Sequence, residues 1–142
     1  MREAEPTCTR RFSIDAGHRV TQHESKCRNV HGHRYTIEVT CSAPLDDMGR
    51  VIDFGLVKKL VGDWLDESLD HGYIHHADDV VGHALNEQGH KTYAMPRHLG
   101  EPTAENLSTL VAIKAQQLLG ERLQVSHVRV YETPNCWADW RP

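Results

Sequence analysis

Nowhere in the chain is there an apolar run approaching the ~18 residues that a membrane-spanning helix needs, so no membrane partner is expected. Positive charge is not in excess either. Sixteen Lys and Arg stand against 20 Asp and Glu, for a formal net charge of -4. Nucleic acids and anionic membrane surfaces call for a basic face, so neither is an expected partner. The four cysteines, Cys8, Cys27, Cys41 and Cys136, include no CxxC pair, and the opening MREAEPTCTRRF lacks the apolar core of a signal peptide. A disulfide framework is therefore not expected, and the cytoplasm is the expected compartment. No repeat, low-complexity tract or linker divides the sequence, so residues 1–142 read as one domain.

What the chain does have in quantity is histidine, 11 in 142 residues. Position matters more than number. From Arg10 to Val20, Phe12, Ile14, Ala16 and His18 share one parity, and Ser13, Asp15 and Gly17 the other. From His31 to Cys41, His31, His33, Tyr35, Ile37, Val39 and Cys41 alternate with Arg34, Thr36, Glu38 and Thr40. Both segments read as half-buried strands. Asp53 is placed to cap a helix with its stripe at Leu56, Val57, Leu60, Val61, Trp64 and Leu65. Thr103 is placed to cap a second helix, with Glu105 in its first turn, Leu107, Leu110, Val111 and Leu118 as its stripe and Gly120 as its stop. Leu123 to Glu132 and Cys136 to Trp140 read as further strands. The stretch 78–100 has no clear period and reads as a long loop with some local helix. The order ββααββ predicts an α+β domain, with helices on one face of an antiparallel sheet.

His31 and His33 leave one face of their strand, and His18 ends the preceding strand on the inward parity. On the HGH triplet alone, two ordinary half-buried histidines are as good a reading as a metal pair. A third inward imidazole at a strand end tips the balance towards metal. Three nitrogens with one open position suit catalytic zinc. Such a site is expected to bind zinc less tightly as pH falls through ~6.5. Cys27 sits in SKCRNVHGH between Lys26 and Arg28, whose charges favour a thiolate, whereas Cys41 fits a small buried hydrophobe better. Asp70 beside His71 reads as a carboxylate–imidazole dyad or as plain helix-end polarity. Glu132 ends a mixed strand, placed either to take two parallel hydrogen bonds from an amidine-like edge or simply to face water.

Taken together, FSIDAGH, CRNVHGHRY, GRVIDF, LDH, PTAEN and VYET, in this order from Phe12 to about Cys136, resemble the 6-pyruvoyl-tetrahydropterin synthase and 6-carboxy-tetrahydropterin synthase family. The resemblance implies the tunnelling fold, whose ββααββ subunits join sheet edges into barrels, usually as homohexamers with active sites between subunits. It implies zinc on His18, His31 and His33, a catalytic thiol at Cys27, a proton-relay pair in Asp70 and His71, and a pterin anchor in Glu132. The implied substrate is 7,8-dihydroneopterin triphosphate. Three residues separate Cys27 from the HGH, as in the bacterial 6-carboxy-5,6,7,8-tetrahydropterin synthases of queuosine biosynthesis; the pyruvoyl enzymes tend to have a longer gap. A pyruvoyl-type synthase, a zinc- and pterin-binding protein without turnover and a generic zinc hydrolase are the alternatives. The stretch before EPTAEN is longer than the family pattern, and NCWADW carries two tryptophans where fewer are expected.

Overall fold

A computed structural model describes residues 5–142; residues 1–4, part of the N-terminal stretch read above for an export signal, lie outside the described residues. Strands β1 (Thr7–His18) and β2 (His31–Ser42) pair antiparallel without interruption, from Thr7 opposite Ser42 to His18 opposite His31. Their alternation divides the faces as the parity requires. Ile14, Ala16 and His18 are buried on β1, as are Tyr35, Ile37, Val39 and Cys41 on β2. Strand β5 (Gln124–Thr133) extends the sheet antiparallel to β2, and β6 (Cys136–Trp140) pairs antiparallel to β5.

Between β2 and the next strand, α1 (Phe54–Val57), a π-helical turn (Lys58–Gly62) and α2 (Asp63–Ser68) follow one another without a break. The Asp53 carboxylate caps the first of them by accepting from the Gly55 N–H. The buried file is Val57, Val61, Leu65 and Leu69, while Leu56, placed on the stripe by spacing, is exposed. A strict four-residue repeat drifts by about 40° per step on an α-helix. The wider π turn takes up part of that drift, which keeps the file on the sheet and turns Leu56 away from it. Helix α4 (Ala104–Leu119) is capped by Thr103 and stopped by Gly120, whose φ of 83° is left-handed. It packs Leu107, Leu110 and Val111 into a core shared with Val125, Val128 and Val130; Leu118, at its end, is exposed.

The stretch 78–100, expected as a long loop with some local helix, holds a helix of two turns and a short strand. Strand β3 (Tyr73–His75), helix α3 (Val80–Glu87) and strand β4 (Thr92–Ala94) form a small unit whose strands run parallel to β1 and to each other. The sheet order is β4-β3-β1-β2-β5-β6. The four long strands are antiparallel as expected, and two short parallel strands make the whole sheet mixed. Of the C-terminal tryptophans, Trp140 packs against the core, and Trp137 is exposed with the Arg129 guanidinium 4.9 Å over its ring. No described helix is long and apolar enough to cross a membrane.

Candidate metal centre

The final β1–β2 pair joins His18 to His31, and His33 follows two residues along β2, so all three imidazoles leave the same face at one end of the sheet. One ring nitrogen from each lies within 4.8 Å of the others. The hydrogen bonds on the far side of two rings fix their protons. His18 Nδ1 donates to the Pro102 carbonyl at 2.8 Å, and His31 Nδ1 donates to the Asn29 carbonyl at 2.7 Å, since a carbonyl can only accept. In the neutral tautomers set by these bonds, each ring turns its Nε2 lone pair inward, and the two nitrogens are 3.1 Å apart. Two neutral acceptors held face to face repel each other unless a cation lies between them. The buried Nε2 of His33 meets no hydrogen-bond partner among the described residues.

A tetrahedral zinc with Zn–N near 2.05 Å separates its ligand nitrogens by about 3.3 Å, close to the spacing of the first two. Burial, the largest cause, lowers His18 to about 4 against the ordinary imidazole value, and the neighbouring imidazoles add to it. His33 is lowered too, again chiefly by burial. The rings are thus held in the neutral form that ligates metal. These residues fit a divalent metal.

The Pro102 carbonyl is itself secured. The Glu101 carboxylate accepts from the backbone N–H of Thr21, at 3.0 Å, and from its hydroxyl, while Asn106 Nδ2 donates to the Glu101 carbonyl at 2.9 Å. The turn before α4 is in this way clamped to the chain just past β1. Sequence reasoning missed this support, because a backbone carbonyl acceptor has no residue signature; the PTAEN segment was the one available pointer.

Glu132 reaches the same centre. It continues the inward file of Val128 and Val130, one position beyond the Thr36–Tyr131 pair, and falls where the β5–β6 register shifts between Tyr131 and Thr133. Its Oε1 stands 3.8 Å from His18 Nε2, with the side chain 29% exposed. Cys27 lies in a single 3-10 turn (Lys26–Arg28) of the loop joining the strands that end in His18 and begin with His31. It is half-buried, and its carbonyl accepts from Val20 N–H at 2.9 Å, tying the loop to the end of β1.

Asp70 and His71 form the dyad, but not at this centre. Asp70 Oδ2 accepts from His71 Nδ1 at 2.9 Å, and Asp70 Oδ1 accepts from the Asp15 N–H at 2.8 Å. Burial alone would raise the Asp70 carboxyl; the Asp15 N–H and His71 outweigh it and hold it below the usual range. His71 is the non-glycine residue with left-handed φ, 59°, among the described residues, and its side chain is 77% exposed. It lines an open cavity of about 450 Å³ with Asp15, Gly17, Gly32 and Arg34, whose parity is opposite to that of the three histidines, and with Ala16 and His33, whose parity is the same. Arg34 spends two of its donors on Asp15 there, both at 3.1 Å. Among the described residues no hydrogen bond or ion pair joins the dyad to the imidazoles, and His33 and His71 border the same cavity.

Comparison with known proteins gives a consistent result. A profile of the 6-pyruvoyl tetrahydropterin synthase family matches residues 7–142. The chain is 43% identical over 137 residues to the 6-carboxy-5,6,7,8-tetrahydropterin synthase of Rickettsia felis, covering 93% of this chain and 97% of that one. In fold it is similar to an uncharacterized protein of Wolinella succinogenes (TM-score 0.76, 22% identity, 98% and 99% of the two chains covered). It is also similar to the Caenorhabditis elegans 6-pyruvoyl tetrahydropterin synthase (TM-score 0.73, 22% identity, 100% and 99% covered).

Proposed function

The chain belongs to the 6-pyruvoyl tetrahydropterin synthase family, and on that premise we propose that it is a zinc-dependent carbon–carbon lyase making 6-carboxy-5,6,7,8-tetrahydropterin. The substrate is 7,8-dihydroneopterin triphosphate. One water is taken up, and acetaldehyde and triphosphate leave with the pterin product. The observation that carries the reading is the convergence of three imidazoles beside a carboxylate, at a strand end reached by a cysteine-bearing loop. The name of the 43% identical relative, and the three residues between Cys27 and the HGH, favour the carboxy product over the pyruvoyl one. Such a product belongs on the route to 7-deazapurines such as queuosine, and the expected compartment is the cytoplasm.

His18, His31 and His33 would hold the zinc, which when bound supplies a Lewis acid for the oxygens of the substrate side chain. Glu132 accepts two parallel hydrogen bonds from the amidine-like edge of the pterin and so fixes which carbons face the protein. Cys27, between two cationic neighbours, takes and returns protons at the reacting carbons as the thiolate. His71, oriented by Asp70, does the same from the other side of the substrate. The dyad makes no hydrogen bond to the imidazoles within one chain, and a complete site in this reading draws it from a second copy, as in a homohexamer with sites between subunits.

The test is to incubate the zinc-loaded protein with dihydroneopterin triphosphate and identify products by mass spectrometry, with Cys27→Ala alongside. Carboxy-tetrahydropterin with acetaldehyde is the expected result, falling by at least about 100-fold in the variant, the scale of a lost general acid–base group. Pyruvoyl-tetrahydropterin without acetaldehyde would assign the other branch of the family, and intact substrate would remove the reading.

A further inference from the structure

The metal accounts for the unpartnered Nε2 of His33 but leaves a second buried polar atom unexplained. The hydroxyl of Tyr35 also has no hydrogen-bond partner among the described residues, although the residue is 1% exposed. Its ring sits beneath the centre in T-shaped contact with two of the imidazoles, 5.9 Å from His18 and 5.4 Å from His33. Phenylalanine would fill this space without stranding a donor, so the hydroxyl calls for a reason. Its cross-strand neighbour supplies one. Strands β2 and β5 pair Thr36 with Tyr131, which makes Tyr35 and Glu132 the next opposed residues, with both side chains on the inner face.

Glu132 presents a difficulty of its own. Its Oε1 is 3.8 Å from His18 Nε2. Ligand atoms of a tetrahedral zinc stand about 3.3 Å apart, so this oxygen is only about half an ångström outside a ligand position. A dication would draw it in and complete a four-ligand shell of protein groups. That is the closed arrangement of a structural site; a catalytic one keeps a position free for substrate. Glu132 must also stay available to the pterin edge, so something has to compete with the metal for its carboxylate.

We infer that Tyr35 is a positioning residue whose hydroxyl donates to the Glu132 carboxylate when metal is bound, keeping that carboxylate out of the coordination shell and turned towards the substrate. The inference rests on the three-histidine reading above and gives Glu132 its orientation. It carries an unusual sign, since removing a polar group from a metal site should tighten its hold on the metal.

The experiment measures zinc affinity by chelator competition on the full chain for wild type, Tyr35→Phe, Glu132→Gln and the double variant. Cobalt substitution reports coordination through the intensity of its visible absorption. Tyr35→Phe should bind zinc about tenfold more tightly, the scale on which outer-sphere partners move metal affinity. The gain should vanish when Glu132 is already Gln, and Glu132→Gln alone should leave the cobalt spectrum of the wild type unchanged. Unchanged or weaker binding in Tyr35→Phe, a gain that survives Glu132→Gln, or a cobalt spectrum altered by Glu132→Gln alone would each overturn the inference. Thermal unfolding of the metal-free variant, expected to match or exceed wild type, separates a local effect from a damaged fold. A wild type that takes up no metal would sink the three-histidine reading itself; one that binds zinc while Tyr35→Phe behaves identically sinks only the role of Tyr35.

Discussion

His18 illustrates how burial and metal chemistry share one residue. Its ring is buried and bonded through Nδ1 to Pro102, and burial lowers it from 6.5 to about 4. Between these two values the unfolded chain binds a proton that the folded metal-free chain refuses. The stability of the metal-free protein is therefore whole above pH 6.5 and falls as pH drops towards 4, by about 3 kcal/mol from this residue. Denaturant titrations of chelator-treated protein across that range measure it, and a flat profile would contradict a buried neutral His18. The same burial shifts the metal expectation: for His18 and His33, proton competition sets in below the ~6.5 expected of free imidazoles. Parity alone reveals that three histidines share a face, because strand geometry is local. How deeply they are buried, and that Pro102 steers one of them, depends on chain more than 80 residues away, so neither is legible in the sequence.

At the scale of the element, the instructive unit is β3–α3–β4. Strands and helices were recognised where their apolar residues repeat, and Asp53 and Thr103 cap helices as their types suggest. Helix α3 offers no such stripe, because its buried residue is Gly82. A Cβ at Gly82 would meet the His75 ring at 2.3 Å, so α3 rides directly on that ring, which stacks in turn on Tyr73. Asp79 holds the unit in place. Its buried carboxylate accepts from Arg19, from the Tyr73 hydroxyl at 2.8 Å and from the Val81 N–H at 3.0 Å, where it caps α3. Removing this acceptor strands the partly buried Arg19 guanidinium. Asp79→Ala should cost about 3 to 5 kcal/mol, read from denaturant midpoints. Hydrogen exchange should rise across residues 73–94 before it rises in β1 and β2. Uniform loss of protection across the whole sheet would mean that the unit is not separately held.

For the whole molecule, the proposal that each site draws Cys27 and His71 from different copies makes a quantitative prediction. Cys27→Ala and His71→Ala subunits should each be inactive alone. Mixed in equal amounts and reassembled, they should recover about a quarter of wild-type activity, because a site between copies draws each group independently. No recovery on mixing, with assembly verified by size, would mean that each chain completes its own site. Nothing in the residue pattern reveals which copy supplies the dyad, since one residue of spacing decides the face on which a side chain leaves a strand. Asp70 and His71 lie beyond a helix, where that count is lost. The family resemblance alone suggested it.

One detail of the sheet bears on how the two faces communicate. Directly behind the imidazoles the outer surface is formed by Gly17 and Gly32, paired across β1 and β2, so close that a Cβ on Gly32 would lie 3.2 Å from the Ala16 carbonyl oxygen. Neither residue has a side chain of its own; the Tyr73 ring lies over Gly17, 3.6 Å from where its Cβ would be, while a Cβ on Gly32 would meet only backbone atoms. At Gly32 a charge on the inner side is then separated from the outer side by little more than one layer of backbone. Loading the imidazoles would electrify the cavity beside His71 and strengthen its hold on anions, so that a surface without a ligand atom of its own registers whether the metal is in place.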